Sequence, residues 1–114
     1  MRYMLLINLD TTAPPASKAE IEAILQGHQR FEAELNAAGK MVHTERLGGH
    51  EKASRVRVKA GQRLVTDGPF TETKEVLGGF YLIECDTYAE AIEWAQRVPL
   101  REGRTVEVRP VWRE

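Results

Sequence analysis

One histidine in the first half of this 114-residue chain lies among apolar residues. Ile24, His28 and Phe31 recur at the spacing of a single helical face, so the imidazole points where a core side chain is expected. Imidazole exchanges protons near neutral pH, which makes His28 the leading candidate for a general acid or base. A hydrogen-bonded core histidine is the more common interpretation of such a residue, and both interpretations stay open.

Two arginines alternate with valines further along the chain. Arg55 and Arg57 lie on one face of the segment from Ser54 to Ala60, and Val56 and Val58 lie on the other. Their guanidinium groups are suited to binding an anionic group of a small-molecule substrate. The alternative is that these charges only keep the outer face of an edge strand in solution.

Several other polar residues have two interpretations each. The hydroxyl of Tyr81 either contacts substrate near His28 or belongs to the core or an interface. Asp67 opens an Asp-Gly-Pro turn, in which its carboxylate accepts backbone N–H groups. Glu72 and Lys74 follow in a loop that is either solvated or a lid that closes over a substrate.

Metal and cofactor motifs are missing from the sequence. His43 and His50 are separated by a spacing that matches no metal motif, so no metal is expected. The sequence contains no nucleotide-binding loop and no dinucleotide-binding glycine pattern, and we therefore expect no cofactor.

The elements that must position these residues begin with a strand that is apolar on both alternating faces, which is typical of the middle of a sheet. Further strands are predicted from their alternation and from the turn residues that bound them. The predicted strands are Arg2 to Leu9, Met41 to Leu47, Ser54 to Ala60, Gln62 to Thr66, Gly79 to Cys85, and a last one from Val106 to about Trp112.

Two helices are predicted from their first turns. Ser17 and Glu20 have the spacing of a capping box, and the helix they open ends at Gly39. Thr87 and Glu90 open a second helix in the same way, which stops before Pro99.

The order strand, helix, several strands, helix, strand has no internal repeat and no linker, which predicts one domain over residues 1–114. The fold class is α+β, a ferredoxin-like sandwich with extra strands. Two helices cover only one face of such a sheet, whereas the first strand is apolar on both. We therefore expect the uncovered face to meet a second copy in a homodimer.

Composition narrows the function classes. A formal net charge of −1 lacks the basic excess that binds nucleic acid, so no direct nucleic-acid partner is expected. A single cysteine excludes an intrachain disulfide framework and favours the cytoplasm. Apolar runs are far shorter than the roughly 20 residues that cross a bilayer, and we expect no membrane association.

Residues 67–75, DGPFTETKE, and residues 77–84, LGGFYLIE, closely resemble the signature of the YCII-related family and of its DGPF-domain branch. The resemblance extends to the opening segment MRYMLLI and to the closing segment VEVRP. It implies a dimeric α/β barrel built from two ferredoxin-like subunits, with a cleft in each subunit. It also implies a histidine and aspartate pair in that cleft, which falls on His28 and Asp67 here.

Two functions follow as hypotheses from the residues and the resemblance together. In the first, the protein is a small enzyme of the lyase, isomerase or hydrolase kind. His28 then moves the proton, Asp67 fixes its tautomer, and Arg57 or Arg55 binds a small anionic ligand. In the second, the protein is a noncatalytic binding or regulatory module associated with an extracytoplasmic-function sigma factor. The sequence leaves open whether the protein is an enzyme.

Overall fold

A computed structural model describes residues 1–70 and 74–113 of the chain. This part of the chain alternates between strands and helices as the sequence predicts. In chain order the elements are β1 (Arg2–Asp10), α1 (Lys18–Ala37), β2 (Met41–Arg46), β3 (Ser54–Lys59), β4 (Gln62–Asp67), β5 (Glu75–Glu84), α2 (Tyr88–Ala95) and β6 (Thr105–Pro110), with one 3-10 turn at His50–Lys52.

Four of the strands form an antiparallel sheet in the order β2-β5-β1-β6. The first strand lies inside this sheet between β5 and β6, as its apolar residues on both faces predict. β3 and β4 form a separate two-stranded sheet. The architecture is α+β, and its strand order is compatible with a ferredoxin-like sandwich that carries an extra hairpin.

The first helix begins as predicted. The Ser17 hydroxyl accepts the Glu20 backbone N–H at 3.1 Å, and the Glu20 carboxylate accepts the Ser17 N–H at 3.2 Å. Two N–H groups that lack partners inside the helix are thereby satisfied. The helix ends before Gly39, which adopts a φ of +71° that glycine tolerates best.

The core lies between the helices and one face of the sheet. Alternate residues of β1 and β5 enter it, and α1 contributes Phe31 and Leu35 from one side of the helix. The buried apolar residues are Tyr3, Leu5, Ile7, Phe31, Leu35, Tyr81, Ile83, Cys85, Ala91, Ala95 and Val98.

The β3–β4 hairpin differs from the sequence prediction of a half-buried strand. Val56, Val58 and Val65 share one face of the hairpin and remain 60%, 65% and 70% exposed. The prediction of a half-buried strand is wrong for this chain, because the hairpin forms its own sheet and every residue of both strands is exposed. The Cα radius of gyration, 16.2 Å, accordingly exceeds the ~13 Å expected for a compact chain of this length.

Within the described residues, neither helix has the length and hydropathy needed to cross a membrane. Across the same residues, His, Cys, Asp and Glu side chains form no group of three that could hold a metal ion.

Candidate functional site

A cavity of about 240 Å³ lies between α1 and the sheet. Most of its wall is apolar, and the polar groups come from α1, β2, β5 and the segment before β6, a composition typical of sites for small molecules. The apolar wall includes Ile7, Leu9, Ile21, Ile24, Leu25 and Leu47. The main polar residues are His28, Glu32, Arg46, Tyr81 and Arg104, and we call this space the His28 cavity.

Helix α1 brings His28 to the cavity. The residues next to His28 in the helix hold α1 close to the sheet and to the segment after α2. Gly27 is buried, and a β-carbon placed there would lie 2.9 Å from the Pro99 ring. The glycine therefore permits a close approach of helix and loop that any larger residue would oppose. Phe31, one turn further on, is buried in the core and fixes the rotation of the helix.

His28 and Tyr81 form the central contact of the site. The His28 Nδ1 atom lies 2.7 Å from the Tyr81 hydroxyl oxygen, a short hydrogen bond between a helix and a strand. The two rings are nearly parallel, with centroids 5.9 Å apart. Phe31 meets the Tyr81 ring edge-on at 5.0 Å, and this packing holds the tyrosine in place.

Glu32 is the acidic neighbour of this pair. It lies one helical turn after His28, and its Oε1 accepts a long hydrogen bond of 3.5 Å from the Tyr81 hydroxyl. Burial, and then the negative charge of Glu32, raise the pKa of Tyr81 well above its usual range. The phenol therefore keeps its proton at every physiological pH.

The electrostatics around His28 favour the neutral ring. Burial makes the largest contribution to lowering the pKa of His28, followed by the positive charge of Arg46. Arg104 lowers the pKa of His28 further, whereas Glu32 opposes the shift. His28 is consequently an uncharged proton acceptor at neutral pH.

Of the residues proposed from sequence, the structure brings His28 and Tyr81 together and does not bring Asp67 to them. Asp67 ends β4, where its carboxylate accepts the Ser54 hydroxyl at 2.7 Å in an exposed position. It is not among the residues that line the His28 cavity. Glu32 is the carboxylate beside the pair, and its position four residues after His28 is the one sequence signal that indicates it.

The proposed anion-binding arginines also lie elsewhere. Arg55 and Arg57 are exposed on β3, where Arg55 stacks over the Phe70 ring at 3.7 Å. The arginines of the His28 cavity are Arg46 and Arg104, which sequence reasoning missed. Their positions depend on which strands pair and on the path of a loop, and no local motif encodes either feature.

Of the two loop residues proposed for substrate contact, Lys74 and Glu72, the structure describes only Lys74. The Lys74 backbone carbonyl accepts the Thr11 backbone N–H at 2.8 Å and its hydroxyl at 3.0 Å, which joins the start of β5 to the end of β1. The Lys74 side chain is exposed and does not line the His28 cavity. Glu72 lies outside the described residues.

Gly78 and Gly79 lie inside β5 and form part of the cavity wall. A β-carbon on Gly78 would lie 2.7 Å from the Leu9 side chain, and one on Gly79 would lie 3.0 Å from the Glu45 carbonyl oxygen. The register shift between Ile7 and Asn8 falls at the same place. These glycines let the neighbouring strands approach closely and keep space beside Leu9 open.

The fold and the cavity define a small α+β protein with an apolar pocket whose polar residues lie around a histidine. A model of the YCII-related domain family matches residues 1–114. The chain is also 37% identical over 114 residues to an uncharacterised protein of Rhizobium meliloti (strain 1021), an alignment that covers 97% of this chain and 92% of the relative. The chain belongs to the YCII-related domain family.

Proposed function

We propose that this protein is a small-molecule enzyme in which His28 transfers a proton to and from a substrate bound in the His28 cavity. Tyr81 and Glu32 act as positioning residues in this mechanism, in place of the Asp67 expected from sequence. The observation that carries the proposal is the 2.7 Å contact between His28 Nδ1 and the Tyr81 hydroxyl inside an apolar pocket.

The direction of the hydrogen bonds follows from charge. An ionised Glu32 attracts the Tyr81 hydroxyl proton, and the phenol oxygen then accepts N–H from His28 Nδ1. In this arrangement the proton of the neutral ring is on Nδ1, and the lone pair is on Nε2. The order carboxylate, phenol, imidazole makes Nε2 the general base.

The reaction class follows from this base. Nε2 takes a proton from a C–H group or from a water molecule, the ring becomes an imidazolium ion, and the proton returns to the product or to its leaving group. Isomerisation, elimination and hydrolysis all fit this sequence. Burial and the charge of Arg46 disfavour the imidazolium ion, so the ring returns its proton readily, while Glu32 partly offsets this effect.

Proton abstraction can be tested before a product is known. Small 2-oxo and 3-oxo carboxylates are incubated with the protein in D₂O, and loss of the acidic C–H signal is followed by proton NMR. We expect wild type to exchange at least one of them about 100-fold faster than His28→Gln, and His43→Gln to behave as wild type. Equal exchange rates in wild type and His28→Gln across all the oxo acids would contradict the proposal.

We further propose a homodimer formed through the face of the sheet opposite the helices. On this face Leu6 is paired with Phe80, and Met4 with Leu82, which produces an apolar patch at the centre of the sheet. Such a patch is more stable when covered. Sedimentation equilibrium at micromolar concentration should give a dimer for wild type and a monomer for Leu6→Lys, whereas a monomeric wild type would exclude the dimer.

A noncatalytic binding module remains the second candidate, and the exposed valines of the β3–β4 hairpin favour it because they form a surface suited to a protein partner. From the resemblance, we propose an extracytoplasmic-function sigma factor as the partner. The same resemblance supports the proposal that the chain belongs to the DGPF-domain branch. A cytoplasmic location is proposed from the single cysteine, Cys85, which is buried and free. Binding of a purified sigma factor that is lost in Val56→Glu and kept in His28→Gln would favour this role.

A further inference from the structure

We propose that the ligand of the His28 cavity is a small monocarboxylate with an apolar body, and that Arg104 binds its carboxylate with help from Arg46. This inference rests on the proposed function, because it uses the same cavity, and it names the class of compound that the cavity accepts.

The first observation concerns Arg104 and its ion pairs. Arg104 is partly buried in the wall of the cavity, just after Gly103, whose φ of +89° shapes the turn before β6. Among residues 1–70 and 74–113, no carboxylate forms an ion pair with Arg104. A partly buried guanidinium is more stable beside an anion than without one, and a ligand carboxylate in the cavity would supply that charge.

Nearby Arg101 shows the contrast. Its guanidinium donates to the Pro14 carbonyl oxygen at 2.8 Å and so has a partner within the chain. The charge of Arg101, after burial, contributes to lowering the pKa of Arg104. A bound anion would offset the cost of burying the Arg104 charge and the repulsion between Arg104 and Arg101.

The second observation is the position of Arg46. This residue ends β2 and is paired with Gly79 of β5, which places it in the wall of the same cavity. The described residues supply no ion-pair partner for Arg46 either. Both arginines lower the pKa of His28, so both are electrostatically close to the proposed base.

Two acidic residues, Glu32 and Glu45, are also among those that line the cavity, and within the described part of the chain neither carboxylate forms an ion pair with these arginines. Glu32 is the acceptor for Tyr81, and the Glu45 carboxylate lies 2.9 Å from the His43 ring nitrogen. With His28 neutral, the cavity keeps a positive region at Arg46 and Arg104 that is available to an anion.

The third observation is the exposed apolar surface at the same cavity. Ile21 and Leu47 line it and are 49% and 44% exposed, although both are large hydrophobic side chains. A ligand with a hydrocarbon chain or ring would cover this surface while its carboxylate meets the arginines. The planar guanidinium of Arg104 matches a carboxylate in a bidentate geometry.

The test compares benzoate and hexanoate with benzamide and hexanamide, using isothermal titration calorimetry on the full chain. We expect wild type to bind at least one carboxylate about ten- to hundredfold more tightly than its matched amide. Arg104→Gln should lose most of this preference, Arg104→Lys should keep part of it, and Arg63→Gln on the exposed hairpin should behave as wild type.

Three results would overturn the inference: equal affinity for acid and amide, unchanged carboxylate binding in a folded Arg104→Gln, or inorganic phosphate binding more tightly than both acids. If Arg104→Gln does not fold, the acid and amide affinities of wild type decide the question. His28→Gln separates the two proposals. It should still bind the carboxylate, and loss of proton exchange with retained binding in this variant supports both proposals. Wild type that exchanges protons without preferring acids to amides would overturn only the ligand class.

Discussion

The His28 imidazole and the Tyr81 phenol meet at 2.7 Å although 53 positions of sequence separate them. One residue comes from a helix and the other from a central strand, so their contact depends on how α1 packs on the sheet. Phe31 supports this contact by packing against the Tyr81 ring. Tyr81 is therefore part of the core, while its hydroxyl meets His28 in the cavity.

Replacing Tyr81 with phenylalanine should separate positioning from packing. The ring contacts with Phe31 survive, while His28 Nδ1 loses its partner, so we expect the free energy of unfolding to fall by about 1 kcal/mol. Proton exchange should slow by about 10- to 100-fold, and its pH dependence should change because the ring is no longer held in one tautomer.

Tyr3→Phe is the matched control, because Tyr3 is equally buried and its hydroxyl has only a 3.9 Å contact with the Met1 sulfur. It should leave the exchange rate and its pH profile unchanged. The positioning role of Tyr81 would be wrong if Tyr81→Phe and Tyr3→Phe gave the same rates and profiles.

The pH dependence of stability should report His28. The groups that face it are Glu32 from α1, Arg46 from β2, Tyr81 from β5 and Arg104 before β6, and burial and the arginines lower its pKa on balance. Below the unfolded-state pKa of about 6.5, His28 binds a proton in the unfolded chain, whereas it stays neutral in the folded chain until a lower pH. This contribution to stability is complete above about pH 6.5 and is lost as the pH falls through that value toward the lower folded pKa.

Urea unfolding between pH 5 and 8 measures this effect. Relative to wild type, His28→Gln should show a smaller loss of unfolding free energy below about pH 6.5, because the residue that titrates is gone. An identical slope in wild type and His28→Gln would show that the folded and unfolded pKa values of His28 agree.

Gly27→Ala should destabilise the protein even though alanine favours helices. The gain in helix propensity is about 1 kcal/mol, whereas the new β-carbon would lie 2.9 Å from the Pro99 ring, and such overpacking costs about 1–3 kcal/mol. We expect a net loss of about 1 kcal/mol in urea unfolding. Gly48→Ala is the control because, in the described part of the chain, no atom beyond its two sequence neighbours lies within 4 Å of its added β-carbon. A more stable Gly27→Ala would mean that the loop at Pro99 yields freely.

Gly78→Ala should reduce the volume of the His28 cavity. Its β-carbon would meet the Leu9 side chain at 2.7 Å, and Leu9 lines the cavity, so the leucine must move. We expect the affinity for benzoate or hexanoate to fall about tenfold, with a smaller loss for the shorter acid butanoate. Unchanged calorimetric affinities in a folded Gly78→Ala would show that Leu9 moves away from the cavity.

Local chemistry in the sequence accounts for much of the fold. The Ser17 and Glu20 capping box forms as predicted because each partner lies within one helical turn of the other. Thr87 likewise accepts the Glu90 N–H at 3.1 Å, although the Glu90 carboxylate accepts the Asp86 N–H in place of that of Thr87. The apolar character of β1 on both faces predicts its central place in the sheet.

The sequence by itself determined the two helices, the central strand, the family and the placement of His28 on a core-facing helix surface, because these depend on residues close together in the chain. Only the tertiary structure decided which groups His28 meets. Pairing of β2 with β5 brings Arg46 to the cavity, the turn at Gly103 precedes Arg104 in its wall, and β5 supplies Tyr81. Asp67 lies elsewhere because its hairpin forms a separate sheet, a strand pairing that alternation of side chains alone does not specify.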